Sequence, residues 1–166
     1  MTDQALPKPQ PKDYFSLGIF VVAIFGVGSF IGATSGSGPG IWYDTLNKPI
    51  IQPPNAAFGI VWPILYVMIA VAAWRIWQRP SSPLRSTALT LFAVQLGFNF
   101  AWSPIFFTLH QIGLAAIWIA IMVVLAVWAA RRFYKLDRLA AALMLPYLVW
   151  ISFASVLNGW TWVLNH

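Results

Sequence analysis

Five long apolar stretches limit what this chain can fold into, because together they take up most of its length. They are Tyr14–Ala33, Phe58–Trp77, Leu84–Leu109, Ile112–Phe133 and Leu139–Leu164. A helix needs about 20 apolar residues to cross the hydrocarbon core of a bilayer, and each stretch reaches that length. Only 8% of the residues are charged, whereas soluble domains carry about 25%. The sequence therefore predicts an all-α membrane protein, a bundle of five transmembrane helices surrounded by membrane lipid.

The segments outside the apolar stretches define how the chain is organised. Residues 1–13 are polar and contain three prolines, which predicts a disordered tail, and residues 14–166 form a single transmembrane domain. The longest connection, residues 34–57, is so rich in proline and glycine that it predicts a loop without regular structure. The other connections are only a few residues long, so consecutive helices must run antiparallel.

Lys and Arg residues are divided unevenly between the two ends of the predicted helices. With five crossings, nine of the ten lie on the side of the N-terminus, and Lys48 alone lies on the other. The positive-inside rule then predicts a cytoplasmic N-terminus. This bias, without a mitochondrial type of presequence, favours a bacterial cell membrane. The alternative is a signal peptide cleaved near Ala33, which would leave four helices, but the first apolar stretch is long for a signal peptide.

Several kinds of chemistry lack the residues that they need. The chain has no Cys and no Glu, which excludes thiolate sites and leaves little material for paired-carboxylate catalysis. The apolar stretches carry no charged residue at mid-membrane, which argues against an ion relay. Basic residues gather at helix ends instead of forming one face, so no nucleic acid partner is expected. His110 lies in a tight turn and His166 ends the chain, so we expect no metal site and no required cofactor.

Polar and aromatic residues interrupt the third apolar stretch at helical spacing. At 100° per residue, one narrow stripe contains Gln95, Asn99, Trp102 and Phe106. Polar side chains at membrane depth turn away from lipid, so we expect this stripe to face the interior of the bundle.

Small residues occupy the opposite side of the same predicted helix. Ala93, Gly97 and Ala101 are four residues apart, a spacing that lets two membrane helices approach closely. Because the amide-bearing stripe turns inward, the small stripe is free to contact a second copy of the chain, which predicts a homodimer. Contact with another helix of the same bundle is the alternative.

The second and fifth apolar stretches carry faces of the same kind. The residues at helical spacing are Phe58, Trp62 and Tyr66 in the second stretch, and Tyr147, Trp150, Ala154 and Asn158 in the fifth. Three stretches also contain a proline, Pro63, Pro104 or Pro146, each of which releases a backbone carbonyl. A simple packing kink is the alternative for each proline. Aromatic rings around a space with a few hydrogen-bonding groups suit a flat, largely apolar ligand.

The remaining tryptophans near the ends of the apolar stretches are typical of anchors at the membrane interface. They are Trp42, Trp74, Trp77, Trp128, Trp160 and Trp162. Trp62, Trp102 and Trp150 lie too deep in their stretches for that role, which favours the ligand site.

Four segments resemble the tryptophan-rich sensory protein / translocator protein family, whose animal members were called peripheral benzodiazepine receptors. These segments are WYDTLNKP with the PP that follows, FGIVWPILY, QLGFNFAWSPIFF and PYLVWISFASVLN, and the resemblance extends from about Gly28 to Trp162. It implies a five-helix bundle, usually a homodimer, whose first loop closes over a pocket. It also implies binding of porphyrins such as protoporphyrin IX, haem-related tetrapyrroles, cholesterol or isoquinoline carboxamides.

The resemblance also implies which residues form the pocket. Its tryptophans match Trp62 and Trp150, and its other positions match Tyr43, Phe58, Asn99, Trp102, Phe106 and Ala154. With Tyr66, Gln95, Tyr147 and Asn158 from the helix faces, these residues are the predicted ligand-binding set. Two departures stand out: Ile51 replaces a Trp found in many members, and no basic residue follows Asn158 as the animal cholesterol motif requires.

The function predicted from these features is porphyrin binding in sensing, transport or regulation of tetrapyrrole levels. One alternative is an enzyme that degrades porphyrin with light and oxygen through Trp62 and Trp150, without conventional catalytic residues. A second is a protein that binds sterols or other lipophiles. A third is a scaffold whose aromatic residues only pack.

Overall fold

The computed structural model describes residues 11–36 and 41–166, and these residues form six α-helices. The helices are α1 (Pro11–Thr34), α2 (Ile41–Thr45), α3 (Asn55–Trp77), α4 (Pro83–Ser103), α5 (Ile112–Leu136) and α6 (Arg138–Leu164). A π-helical turn, Pro104–Thr108, continues α4. All of these helices except α2 are long and apolar enough to cross a membrane, which confirms the predicted five-helix membrane fold.

Two boundaries differ from the sequence prediction. Helix α1 begins at Pro11, so the last residues assigned to the disordered tail are helical, while residues 1–10 lie outside the described part. The loop at 34–57 contains α2, so the prediction that it lacks regular structure is wrong there. The hydroxyl of Thr45 donates to the carbonyl of Trp42 over 2.6 Å and closes this single turn. Residues 37–40 lie outside the described part.

Side-chain caps fix where two of the long helices begin. The Ser82 hydroxyl accepts a hydrogen bond from the N–H of Arg85 over 3.2 Å. Pro83 suits the first position of α4, because an N–H at that position would have no partner within the helix. The Asp137 carboxylate accepts the N–H of Ala140 over 3.0 Å at the start of α6. Because Asp137 alone separates α5 from α6, these two helices pack against each other as antiparallel neighbours.

Small side chains bring the helices close together at one end of the bundle. The fully buried alanines at that end include Ala72 and Ala73 of α3, Ala88 of α4, Ala129 of α5 and Ala140 of α6. Alanine lets helix backbones approach closely and leaves no space between them. Towards the other end, the inward faces carry aromatic rings, which hold the same helices apart.

Proline changes the last turns of α4. Pro104 cannot donate a hydrogen bond, and beyond it the N–H of Leu109 reaches the carbonyl of Pro104 over 2.9 Å, a π-helical bond. His110 then adopts a positive φ of 56° and reverses the chain into α5. The wider turn places Phe106, which is 4% exposed, and Phe107 beside the interior of the bundle.

One predicted interface tryptophan is not at the membrane surface. Trp74 is buried, and its indole N–H donates to the hydroxyl of Ser16 over 3.0 Å. The prediction of an interface anchor is therefore wrong for Trp74, because its position near a helix end does not reveal that α1 covers it. Trp77 and Trp128 remain exposed.

A buried carboxylate connects α3 to the junction of α5 and α6. Asp137 is 2% exposed, and one of its oxygens lies 2.8 Å from the guanidinium groups of both Arg75 and Arg79. Burial alone would raise the pKa of Asp137. The hydrogen bonds from Arg79, the N–H of Ala140 and Arg75 outweigh it and hold the pKa below its ordinary value.

Candidate ligand cavity

An aromatic cavity of about 460 Å³ lies in the half of the bundle away from the α5–α6 junction. This volume falls within the range of small-molecule sites, about 300–1,000 Å³. Its described walls come from all six helices and the π-helical turn. None of the lining residues is charged.

Ten of the twelve predicted ligand-binding residues line this cavity. They are Tyr43, Phe58, Trp62, Tyr66, Asn99, Trp102, Phe106, Trp150, Ala154 and Asn158. Gln95 and Tyr147 do not line it and are completely buried in the helix packing behind it. The helical spacing correctly placed these two residues on inward faces, but other side chains cover them.

A chain of hydrogen bonds explains why amide groups occur at membrane depth. The Tyr66 hydroxyl donates to Asn99 Oδ1 over 3.0 Å, and Asn99 Nδ2 donates to the Tyr147 hydroxyl over 3.3 Å. The Tyr147 hydroxyl then donates to Gln95 Oε1 over 2.7 Å. In lipid an unpaired polar group is costly, so these bonds hold α3, α4 and α6 in one arrangement.

A second polar pair occupies the end of the cavity near α5. The indole N–H of Trp102 donates to Asn158 Oδ1 over 3.0 Å, and Asn158 Nδ2 donates to the carbonyl of Ile112 over 3.1 Å. Phe106 stacks on Trp102 with ring centres 5.1 Å apart. Because these polar groups satisfy one another, this wall offers a ligand mainly ring surface.

Two buried polar groups of the described cavity lining have no hydrogen-bond partner. They are the indole N–H of Trp150, which donates no hydrogen bond, and the hydroxyl of Ser103, which makes none. Leaving a buried polar group unpaired costs about 1–3 kcal/mol. A ligand with a hydrogen-bond acceptor would recover part of this cost at Trp150 if the ring turned its buried N–H towards the cavity.

The segment that contains α2 covers one end of the cavity. The ring of Tyr43 packs edge-on against Phe106 and Phe107, and its hydroxyl accepts a hydrogen bond from Gln52 Nε2 over 2.9 Å. Burial, with a smaller contribution from the charge of Asp44, raises the pKa of Tyr43. The Tyr43 hydroxyl therefore stays protonated at neutral pH and presents no charge to the cavity.

One side chain fastens this covering segment to the end of α6. Asn165 accepts the backbone N–H of Asn47 over 2.9 Å and donates to the Asn47 carbonyl over 2.8 Å. It also donates to the carbonyl of Thr161 over 2.7 Å. The covering segment is thereby held to the end of α6 through both backbone groups of Asn47.

Sequence reasoning missed the contribution of α1 to the cavity. Gly28, Ser29 and Gly32 line it, and a Cβ atom built on Gly28 would overlap the ring of Tyr66. The small-residue spacing of Gly28 and Gly32 is the same signal that singled out the stripe on the third apolar stretch. It marks a close approach of α1 to its neighbour.

The small-residue stripe on α4 lies on the outside of the bundle. Ala93 and Gly97 are exposed, Ala101 is half-buried, and a Cβ built on Gly97 would meet nothing within 4 Å. The alternative that Gly97 and Ala93 pack against another helix of the same bundle is therefore wrong. The outward face remains free for a second molecule.

The described residues offer little for metal or acid–base chemistry. No group of three His or Asp side chains in residues 11–36 and 41–166 is arranged to hold a metal ion. His110 stacks on Trp42 with ring centres 4.0 Å apart, outside the cavity lining. The cavity itself is a space bordered by aromatic rings.

Five membrane-length helices around an aromatic cavity define an integral, multi-pass membrane protein with an internal cavity. The model of the TspO/MBR family matches residues 19–163, and the chain belongs to this family.

Named relatives match over most of their length. The Protein CrtK of Rhodobacter capsulatus is 35% identical over 76% of this chain and 80% of its own. The tryptophan-rich sensory protein of Cereibacter sphaeroides is 38% identical over 72% of this chain and 74% of its own. The human translocator protein is 34% identical over 84% of this chain and 85% of its own.

Proposed function

We propose that this chain binds a porphyrin or another flat, largely apolar molecule in the aromatic cavity. The binding would serve sensing, transport or regulation of tetrapyrroles in the membrane. One observation carries the proposal: the cavity of about 460 Å³ is lined by many aromatic rings, and none of its described lining residues is charged. The names of the relatives, a sensory protein and a translocator protein, support the sensory or transport part.

Aromatic side chains of the cavity pack in pairs, both within one helix and between facing helices. Trp62 and Tyr66 lie 5.3 Å apart on α3, and Phe58 of α3 meets Trp150 of α6 edge-to-face at 5.5 Å. Rings in these positions favour a planar ligand whose faces are apolar. Since the described lining has no cation, the carboxylates of a porphyrin would stay at the rim, outside the ring-lined part.

Protoporphyrin IX is expected to quench the tryptophan fluorescence of the purified protein saturably. Trp62→Phe and Trp150→Phe should each weaken binding about tenfold, because each replaces an indole that lines the cavity with a smaller ring. Trp128→Phe is the matched control, since Trp128 is exposed on the outer surface. Absence of saturable quenching in the wild-type protein would exclude porphyrin binding.

Two further measurements on the same samples separate the alternative functions. Light-dependent degradation predicts a new absorbing product after illumination with oxygen, absent in the dark and lost with Trp150→Phe. Sterol binding predicts that cholesterol displaces the porphyrin. A scaffold whose aromatic residues only pack predicts neither quenching nor stabilisation by ligand.

We also propose that the chain forms a homodimer through the small stripe of Ala93, Gly97 and Ala101. The exposure of Gly97 and the open space around it support this, because backbones can approach there. Gly97→Leu should convert a dimer into a monomer in light scattering of the detergent-solubilised protein. Gly26→Leu, at an exposed glycine of α1 with equally open surroundings, should leave the dimer intact. A dimer that survives Gly97→Leu would contradict this interface.

The proposed orientation places the N-terminus in the cytoplasm of a bacterial cell. The chain has no Cys, so single cysteines report position without background labelling. Ile50 precedes α3 and Ser81 follows it, so these two exposed residues lie beyond opposite ends of the helix. In intact cells, a membrane-impermeant maleimide should label Ile50→Cys, and it should label Ser81→Cys only after lysis. The reverse pattern would contradict this orientation.

A further inference from the structure

A second apolar space lies on the outer surface between α3 and α6. This membrane-facing groove is lined by residues that include Ile64, Met68, Leu145, Pro146, Val149 and Phe153. Ile64 and Val149 are 56% and 71% exposed in the isolated chain, so they face lipid when the helices cross a membrane. A lipophilic molecule dissolved in the bilayer therefore has direct access to the groove.

One side chain borders both this groove and the internal cavity. Trp150 lines the cavity on its inner side and the membrane-facing groove on its outer side. Between α3 and α6, its ring is therefore a shared wall of the two spaces.

No hydrogen bond holds the Trp150 ring in place, and its position depends on apolar packing against the core. Its Nε1 makes no hydrogen bond, and its ring neighbours are Phe58 at 5.5 Å and Phe153 at 6.0 Å. Pro146, one turn earlier in α6, cannot donate to the carbonyl of Ala142, which weakens the helix where it borders the groove. The ring can move without breaking a polar contact.

Hydrogen bonds, in contrast, hold the covering segment at the end of the cavity. Asn165 makes two hydrogen bonds to the backbone of Asn47, and Gln52 donates to the hydroxyl of Tyr43. Opening that end would break all three bonds. Movement of the Trp150 ring would break none.

We propose that the ligand of the cavity exchanges sideways with the bilayer through the membrane-facing groove, with Trp150 as the movable partition. The occupant of the groove is the cavity's own flat, apolar ligand in transit. This inference rests on the proposed function. It adds a route, and the route determines exchange rates without contributing to affinity.

Rates of protoporphyrin IX binding and release, followed by porphyrin absorbance in lipid nanodiscs, test the route. Val149→Trp and Ile64→Trp place bulk in the groove from its two walls. Both variants should slow binding and release by the same factor of about ten, an added barrier of about 1.4 kcal/mol. The dissociation constant should stay unchanged, because a side chain on the path stabilises neither end state.

Matched controls lie on the same helices outside both spaces. Val156→Trp on α6 and Ile60→Trp on α3 replace exposed residues that line neither the groove nor the cavity, and they should keep wild-type rates. Thermal unfolding checks that each variant folds, and either groove variant suffices for the test. Unchanged rates in the folded groove variants, or equal slowing in the controls, would overturn the sideways route while leaving porphyrin binding in place. A wild-type protein that does not bind protoporphyrin IX would instead overturn the proposed function, and this route with it.

Discussion

Asp137→Ala is expected to lower the free energy of unfolding by about 3 kcal/mol, the largest effect of any single substitution considered. The change removes the carboxylate that lies 2.8 Å from both Arg75 and Arg79 and leaves two largely buried cations without it. Breaking a buried ion pair by removing one partner costs about 3–5 kcal/mol, and the low end applies because Arg75 is partly exposed. Thermal or denaturant-induced unfolding in detergent measures the loss.

Two companion variants separate charge from helix capping. Asp137→Asn keeps an oxygen that can accept the N–H of Ala140. Its free energy of unfolding should therefore be about 1 kcal/mol higher than that of Asp137→Ala. Asp44→Ala removes an exposed pair with Lys48 at 3.9 Å and should cost at most about 1 kcal/mol. Equal losses for Asp137→Ala and Asp44→Ala would contradict the structural role of the buried carboxylate.

The depressed pKa of Asp137 also sets the pH range in which its contribution is lost. A carboxylate with a lower pKa in the folded state stabilises the protein above its unfolded-state pKa of about 3.9. The stabilisation disappears as the pH falls through the lower, folded-state value. The difference in stability between wild type and Asp137→Asn should therefore be constant from pH 7 to pH 5 and shrink below about pH 4.

Gly28→Ala is expected to reduce porphyrin affinity about tenfold, the second large effect, although it adds only one methyl group. The added Cβ would overlap the ring of Tyr66, so the ring must shift and its hydrogen bond to Asn99 must lengthen or break. A buried amide oxygen left unpaired costs about 1–3 kcal/mol, and a displaced ring narrows the cavity. The quenching titration and the unfolding temperature measure the two consequences.

Gly26→Ala is the control for the helix itself. Gly26 lies on the same helix, is exposed, and has nothing within 4 Å of a Cβ at its position. Both substitutions gain the same intrinsic helix propensity, about 1 kcal/mol, so the difference between them isolates the contact with Tyr66. Equal affinity and stability in the two variants would contradict this contact.

Helical periodicity predicted which faces turn inward but not what covers them. Gln95 and Asn99 lie one turn apart on the same stripe of α4, yet Asn99 borders the cavity while Gln95 is covered by Tyr147. The period of 3.6 residues gives a direction for each side chain. It contains no information about the side chain that arrives from another helix.

The same limitation accounts for the features that sequence reasoning missed or misplaced. Asp137 lies more than 50 residues from Arg75 and Arg79, and nothing in the local sequence links them. Trp74 has the position of an interface anchor, but α1 brings Ser16 to its indole N–H. The spacing of Gly28 and Gly32 signals a close approach of α1 to another helix, but it does not specify that this helix is α3.

The membrane environment, the number of helices and the orientation of the aromatic and amide faces were determined by the sequence itself. These properties depend on the free energy of transferring each residue into lipid and on the repeat of one helix, and both are local. The cavity, the buried ion pair and the position of Trp150 beside both the cavity and the groove were decided only by the tertiary structure. They depend on distances between residues far apart in the chain, and those distances are fixed by how all the helices pack together.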